Sequence, residues 1–382
     1  MRWARVSLAA CGVLLLAACT AQAGVPTPPE GPRVLVVAPD AAGDCSRDAP
    51  CGFRDALERA GGGTRIELTS GDYGDLAIDG MPRYATFDDA VVVTAAADAA
   101  PVVTGLRIAA PHVHLLDLPV AGLLSFDPGS DGGTAERVHV TGSGMFVRAD
   151  GIEVRDSLLE GGSSVDGIQI ARASDVLVES TVIRDYDQSG DNGRHADCIQ
   201  IFDVERVVIR GNRLANCYNA GIILSGGGRG IQGLLIESNY VQGCVVKSSL
   251  CGGGSAAELR EQDVSDLVVR NNTFLDGSVR WGSAKGAVFD RNVVAYLSEC
   301  GSRITNSLVL AWNTRMCRTP GWLDADGNRT GEYEPRDRHA GDLAPVDAAQ
   351  ALITPVGTTR PAPTDIDGHA IPADVAGATV GG

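Results

Sequence analysis

The chain has 382 residues, a formal net charge of -16, and 44% hydrophobic but only 5% aromatic residues. That acidic balance argues against nucleic acid as a partner and against loose capture of polyanions. Glycine is frequent at 48 residues, Val and Ile dominate the apolar set, and the chain is longer than one ordinary core needs, so a solenoid of stacked short strands is expected.

At the N-terminus, Arg2 and Arg5 precede an apolar stretch, including Val13 to Ala18, that is too short to span a bilayer. Residues 1–18 therefore read as an export signal. Leu16-Ala17-Ala18-Cys19 resembles the bacterial lipobox, which implies lipidation at Cys19; an ordinary cleaved signal is the alternative. Residues 19–32, rich in Ala, Gly and Pro, are expected to form a flexible tether. The expected location is the cell surface or the periplasmic face of the membrane, with a lipid anchor as the only membrane contact and the body monomeric. Setting aside Cys11 and Cys19 leaves eight of the ten cysteines, an even number that suits pairing in an oxidising compartment. Cys45 and Cys51 are expected to close a short loop.

Phe53, Ala56, Leu57 and Ala60 recur at helical spacing, so a short amphipathic helix should cap the open end of the strands that begin within Thr64 to Ile78. The body then repeats an apolar residue, two polar ones, a small polar residue, a variable position and another apolar residue. Copies run Val154 to Leu159, Val178 to Ile183, Ile209 to Leu214, Ile236 to Val241, Val269 to Phe274 and Phe289 to Val294. Ser157, Thr181, Asn212, Asn239, Asn272 and Asn292 hold one place in these copies, which predicts a side-chain ladder at a tight turn. A second strand follows at Asp166 to Ile170, Asp197 to Ile201 and Ala220 to Leu224, with alternation turning Ile and Leu inward. Ladder positions are 24, 31, 27, 33 and 20 residues apart, so the excess lies in loops, which tend to gather on the binding face of a solenoid. These features predict an all-β, right-handed parallel β-helix over residues 33–326. Residues 327–382, rich in Pro, Asp and Gly, read as a loosely structured C-terminal cover or tail.

The ladder, the Gly-Ile-x-Ile strands, the helix before Gly71-Asp72-Tyr73-Gly74 and the closing Asp365-Ile366-Asp367-Gly368 together resemble the pectate-lyase-like β-helix superfamily, over roughly Pro39 to Val309. The resemblance implies a fold shared by lyases, hydrolases, epimerases and proteins that only bind, so it leaves activity open. Two disulfide schemes also stay open. Stacking on neighbouring coils would join Cys217 to Cys244, whereas chain order would join Cys198 to Cys217 and Cys244 to Cys251; Cys300 with Cys317 is expected in both.

The insertion Asp185 to Gln200 delivers His195, Asp197 and Gln200 to one strand mouth, and its His-Ala-Asp-Cys-Ile-Gln is similar to a segment of secreted β-helix proteins and some polysaccharide lyases. Asp-x-Ile-Gln-Ile occurs in register one coil earlier, placing Asp166 and Gln169 beside Asp197 and Gln200. Neighbouring carboxylates suit a cation or a shared proton, or serve as turn caps. Asp185-x-Asp187-x-Ser189-Gly190 matches the start of a calcium loop but lacks its distal Glu, so Ca2+ held by Asp166, Asp187 and Asp197 is one expectation and ordinary turns the other. Asp324-x-Asp326-Gly327-Asn328 is a weaker match. Lys247, Arg280 and Trp281 fall on later outer strands expected to share the face of His195.

A lyase on uronic-acid polysaccharide needs the carboxylate neutralised, a base for the C5 proton and a proton donor. Arg280 or a cation would serve the first, and Lys247 or His195 the second. Gln169, Arg194, Gln200 and Trp281 would hold sugar rings. A glycoside hydrolase using Asp166 and Asp197 is the alternative, although the Asn-Thr-Asp and Gly-His-Gly signatures of polygalacturonase-like β-helices are absent. A surface protein that binds polysaccharide without cutting it is the third.

Overall fold

The computed structural model describes residues 33–188, 195–246, 251, 254–261, 263–317 and 326–380. Arg33–Gly382 form one unit. Nearly every strand pair in it is parallel, and among the described residues the only antiparallel pair of strands is a hairpin, Pro335–Asp337 with Asp342–Pro345.

Each coil contributes strands to three faces. The first face is a twelve-stranded sheet that includes Glu153–Arg155, Leu177–Glu179, Val208–Arg210, Leu235–Glu237 and Val268–Arg270. The second and third faces belong to one nineteen-stranded sheet that bends around the remaining sides. Leu158–Glu160, Val182–Tyr186 and Arg213–Cys217 lie on the second, Ile168–Ser174, Ile199–Glu205 and Ala220–Leu224 on the third.

Alternation fills the core. Val154, Val178, Ile209, Ile236, Val269 and Phe289 register coil upon coil and are fully buried. Ile168, Ile199 and Ile222 form a second such column under the third face. A stack of branched aliphatic side chains at strand spacing removes nearly all their apolar surface from water, which is why so few aromatics suffice.

The predicted ladder is present at the corner between the first and second faces. Asn212 N–H and Nδ2 donate to Asn239 Oδ1 (2.9 and 3.0 Å), Asn239 does the same to Asn272, and Asn272 to Asn292. The residue before each rung is left-handed: Asp156, Ser180, Gly211, Ser238, Asn271 and Arg291 all have φ between 49° and 65°. The turn needs that conformation, and the rung's amide supplies the bonds the turned backbone lacks. The ladder continues through Ser307 to Asn328, which makes Asn328 a rung rather than part of a cation loop, while Asp326 pairs with Arg303.

Helix α1 (Phe53–Arg59) lies at the first coil with Ala56 and Leu57 fully buried, as its spacing predicts. Four disulfides are present: Cys45–Cys51, Cys198–Cys217, Cys244–Cys251 and Cys300–Cys317. Stacking of Cys217 on Cys244 is therefore not used. Cys217 turns inward at a strand end, across the corner from Cys198 at the mouth of the third-face strand one coil earlier, with Cα atoms 5.4 Å apart.

The segment from Gly327 has little regular structure, yet it is docked along the outside of the second face. Leu343, Ile353, Val375 and Ala378 pack on Tyr240, Leu275, Val293 and Leu308. Asn271 and the buried Arg291 reach across to backbone atoms of Thr359, Ala362, Ala373 and Val375.

Candidate functional site

The third face carries one outward residue per coil in a straight row: Phe146, Gln169, Gln200, Ile223, Glu258 and Arg280 follow one another in register. At the level of Gln169 and Gln200 the corner loops rise on one side and leave a cavity of about 440 Å³, lined by Phe146, Ser164, Val165, Asp166, Gln169, His195 and Gln200.

Its polar floor is a connected chain. Gln169 Nε2 donates to Gln200 Oε1 (2.6 Å) and to Asp166 Oδ2 (3.0 Å), and Gln200 Nε2 donates to Ser225 Oγ (3.1 Å). Asp197 N–H donates to the other oxygen of Asp166 (3.0 Å), so both oxygens of that carboxylate have partners. Behind it, Asp197 is fully buried; Asn219 Nδ2 donates to its Oδ1 (2.7 Å). Burial, then the charge of Asp166, pushes the Asp197 carboxyl up to about 8. Burial also raises Asp166, with the Asp197 amide, Gln169, and the charges of His195 and Arg148 working against it. His195 stands exposed at the rim.

Arg148 is the residue that sequence reasoning missed. Its guanidinium lies 4.9 Å over the Phe146 ring and donates to the side chain and the carbonyl of Gln169. Burial lowers its pKa, and the charge of Arg172 adds to that effect. Among the described residues neither arginine forms an ion pair. Met145-Phe146-Val147 stacks on Ile168-Gln169-Ile170 and puts Arg148 one residue beyond that register, a placement that only the fold reveals.

Other expected site residues are dispersed. Arg280 is in the same outward row but three coils beyond Gln200, and it pairs with Glu258 (3.2 Å) instead of facing His195. Trp281 cannot stack on a sugar: it is fully buried, 5.0 Å from the Phe289 ring, with Nε1 bonded to Ser302 O. Consecutive strand residues point to opposite sides, so an outward Arg280 forces Trp281 inward. Asp187 pairs its backbone with Ser163 and Gly162 at the corner and does not join Asp166 and Asp197; among the described residues no three His, Cys, Asp or Glu side chains gather to hold a metal. Ser189, Gly190, Arg194, Lys247 and Cys19 lie outside the described residues.

Residues 129–309 match the family model for the right handed beta helix region. The fold is a right-handed parallel β-helix. Among solved structures, a pectate lyase aligns at 14% identity over 91% of this chain and 89% of its own, with a TM-score of 0.44. The Dettilon tailspike protein aligns at 16% identity over 74% and 67%, with a TM-score of 0.47. A surface adhesin of Streptococcus pneumoniae aligns at 10% identity over 68% and 82%, with a TM-score of 0.33. No curated protein matches the sequence. Likeness at this level describes the path of a β-helix and leaves its chemistry to the residues.

Proposed function

We propose that this β-helix acts on polysaccharide outside the cytoplasm and cleaves a uronic-acid-containing polymer by β-elimination in the His195 cavity. The observation that carries the reading is Arg148: a guanidinium without a carboxylate partner among the described residues, held against Gln169 and Phe146 of the cavity lining in a strongly acidic chain. Such a group calls for an anionic ligand, and a sugar carboxylate meets a planar guanidinium through paired hydrogen bonds.

In this mechanism Arg148 neutralises the uronate carboxylate, which makes the C5 proton more acidic. The His195 imidazole takes that proton. The electron pair becomes the C4=C5 double bond, the C4–O bond breaks, and the departing oxygen takes a proton from water. Asp166 faces the imidazolium that results and stabilises it, while Gln169 and Gln200 hold hydroxyls of the bound rings. Arg148 supplies the charge that a calcium ion would otherwise supply, so activity is expected to survive chelator. Hydrolysis by Asp166 and Asp197 is disfavoured, because Asp197 is wholly buried and bonded behind Asp166 rather than facing it across a substrate. Four disulfides fit an oxidising compartment, and anchorage through a lipid on Cys19 completes the proposal.

The test is the appearance of ultraviolet absorbance from unsaturated ends when the purified protein meets a panel of uronate polymers. His195→Ala should lower the rate by about 100-fold or more. New reducing ends without absorbance would establish hydrolysis, and silence in both assays with binding retained would leave a binding protein.

A further inference from the structure

A second hollow, of about 1190 Å³, opens at the corner between the second and third faces, where the C-terminal cover approaches the coils. Gly254 and Gly277 line it where successive coils meet: a Cβ on Gly254 would come to 2.5 Å from Cys244 Sγ and one on Gly277 to 2.3 Å from Gly254 O, so only glycine fits the close packing at either position. Tyr296, 39% exposed in a chain with few aromatics, stands on the wall. Near it Asp276 and Arg338 form an ion pair at 2.9 Å, and Gln242 Nε2 donates to Asp276 Oδ2 and to Arg338 O.

An exposed ring beside planar hydrogen-bonding groups suits a pyranose, whose C–H face stacks on the ring while its vicinal hydroxyls meet the planar groups in pairs. The charge here differs from that of the His195 cavity. Arg338 is offset by Asp276, so nothing in this hollow calls for an anion, whereas Arg148 does. The two sites follow the same corner. Cys198 N–H donates to Ala220 O, and Ala220 registers with Ser255, the neighbour of Gly254. The near edge of the hollow is therefore two coil steps from Cys198, roughly 10 Å at strand spacing, and Tyr296, which registers with Ser278, is four steps from Gln200, roughly 19 Å.

We propose that this hollow is a second saccharide site that takes a neutral sugar unit, and that the polymer is a heteropolysaccharide carrying uronate and neutral sugars in one chain. The second half of this inference rests on reading the His195 cavity as a uronate site.

The experiment titrates the full chain calorimetrically with neutral hexasaccharides of glucan, galactan, mannan and xylan type. At least one should bind, Tyr296→Ala should weaken it about tenfold, Tyr296→Phe should retain it, and His195→Ala should leave it unchanged. Absence of binding to the wild-type chain, or equal binding by Tyr296→Ala, overturns the site even if uronate polymers are eliminated normally. Neutral binding without elimination of any uronate polymer keeps the site and overturns the mixed polymer.

Discussion

At the scale of single residues, the two charged groups that matter most to the proposal sit on either side of Gln169. Arg148 is fixed by Phe146 beneath it and by two bonds to Gln169, so its position is set before substrate arrives. Arg148→Ala should cost about 100-fold in kcat/KM on uronate polymers. Arg148→Lys should recover only part of this, since an ammonium cannot make the paired contact, and esterified substrates should barely distinguish the variants. Equal losses on both substrates would show that Arg148 acts structurally. Asp197 gives a pH prediction. Its folded pKa, pushed up to about 8, lies well above the ordinary aspartate range, so the native state binds the proton more tightly than the unfolded chain. Stability from this group is complete below about pH 4 and erodes as pH rises toward about 8. Asp197→Asn should flatten the fall of Tm across that window, and an equally steep fall would exonerate the buried carboxyl. The repeated Asp-x-Ile-Gln made this pair and the Gln169–Gln200 contact legible in the sequence. Arg148 was not legible, because one arginine among thirty is marked only by lacking a partner, and partners are a property of the fold.

At the scale of elements, the corner ladder and the first face show how coils keep register. Along the first face Glu136, Arg155, Glu179, Arg210, Glu237 and Arg270 alternate in sign from strand to strand, with Arg270 2.7 Å from Glu237. These pairs are part-buried, with Glu237 wholly so, and a slip by one coil would set like charges opposite one another. The Asn rungs are buried and contribute more. Asn239→Ala would leave Asn212 N–H and Nδ2 without their shared acceptor, and should cost about 3 kcal/mol, read as a lower urea midpoint with an unchanged slope. Ser157→Ala, which removes a hydroxyl that accepts from Val138 N–H (3.2 Å) and donates to Arg155 O (2.7 Å), should cost about 1 kcal/mol. If both variants cost the same, the ladder is not the source. The rungs from Ser157 to Asn292 were readable because six similar hexads surround them. Ser307 was readable in the same way, since Ile304 to Val309 keeps the hexad, whereas Asn328 was not, since Asp326-Gly327-Asn328-Arg329-Thr330 does not end on an apolar residue. The chain-order disulfides were likewise undecided by spacing, because choosing between stacked and corner-crossing bonds requires knowing which way Cys217 turns.

At the scale of the whole molecule, a solenoid must close its ends and cover any outward apolar residues, and this chain does the second with its last fifty residues. In earlier coils the outward positions of the second face include His139, Thr141, Glu160, Arg184 and Arg213, as a solvated strand requires. From Tyr240 onward Leu275, Val293 and Leu308 enter these positions beside Gln242 and Thr273, and the apolar ones are the residues that Leu343, Ile353 and Val375 cover. That change from polar to apolar outward positions was the sequence signal for a docked cover, and it resides in the coils, whereas the covering segment itself lacks any period. The cover touches the second face, while the His195 cavity opens on the third, so the two should separate experimentally. Leu343→Asp puts a charge into the covering cluster, where Leu343 is fully buried, and should destabilise docking by at least about 3 kcal/mol. Trypsin should then cut faster at Arg336 and Arg338, and the bared row of Tyr240, Leu275, Val293 and Leu308 should make the protein self-associate. Elimination of short uronate oligomers should persist, because the coils that carry Arg148, Gln169 and His195 remain stacked. If trypsin cuts the variant no faster than the wild type, the cover is held by its polar anchors on Asn271 and Arg291 instead; if elimination of short oligomers disappears together with docking, the third face depends on the second and the coils are not the independent scaffold their geometry describes.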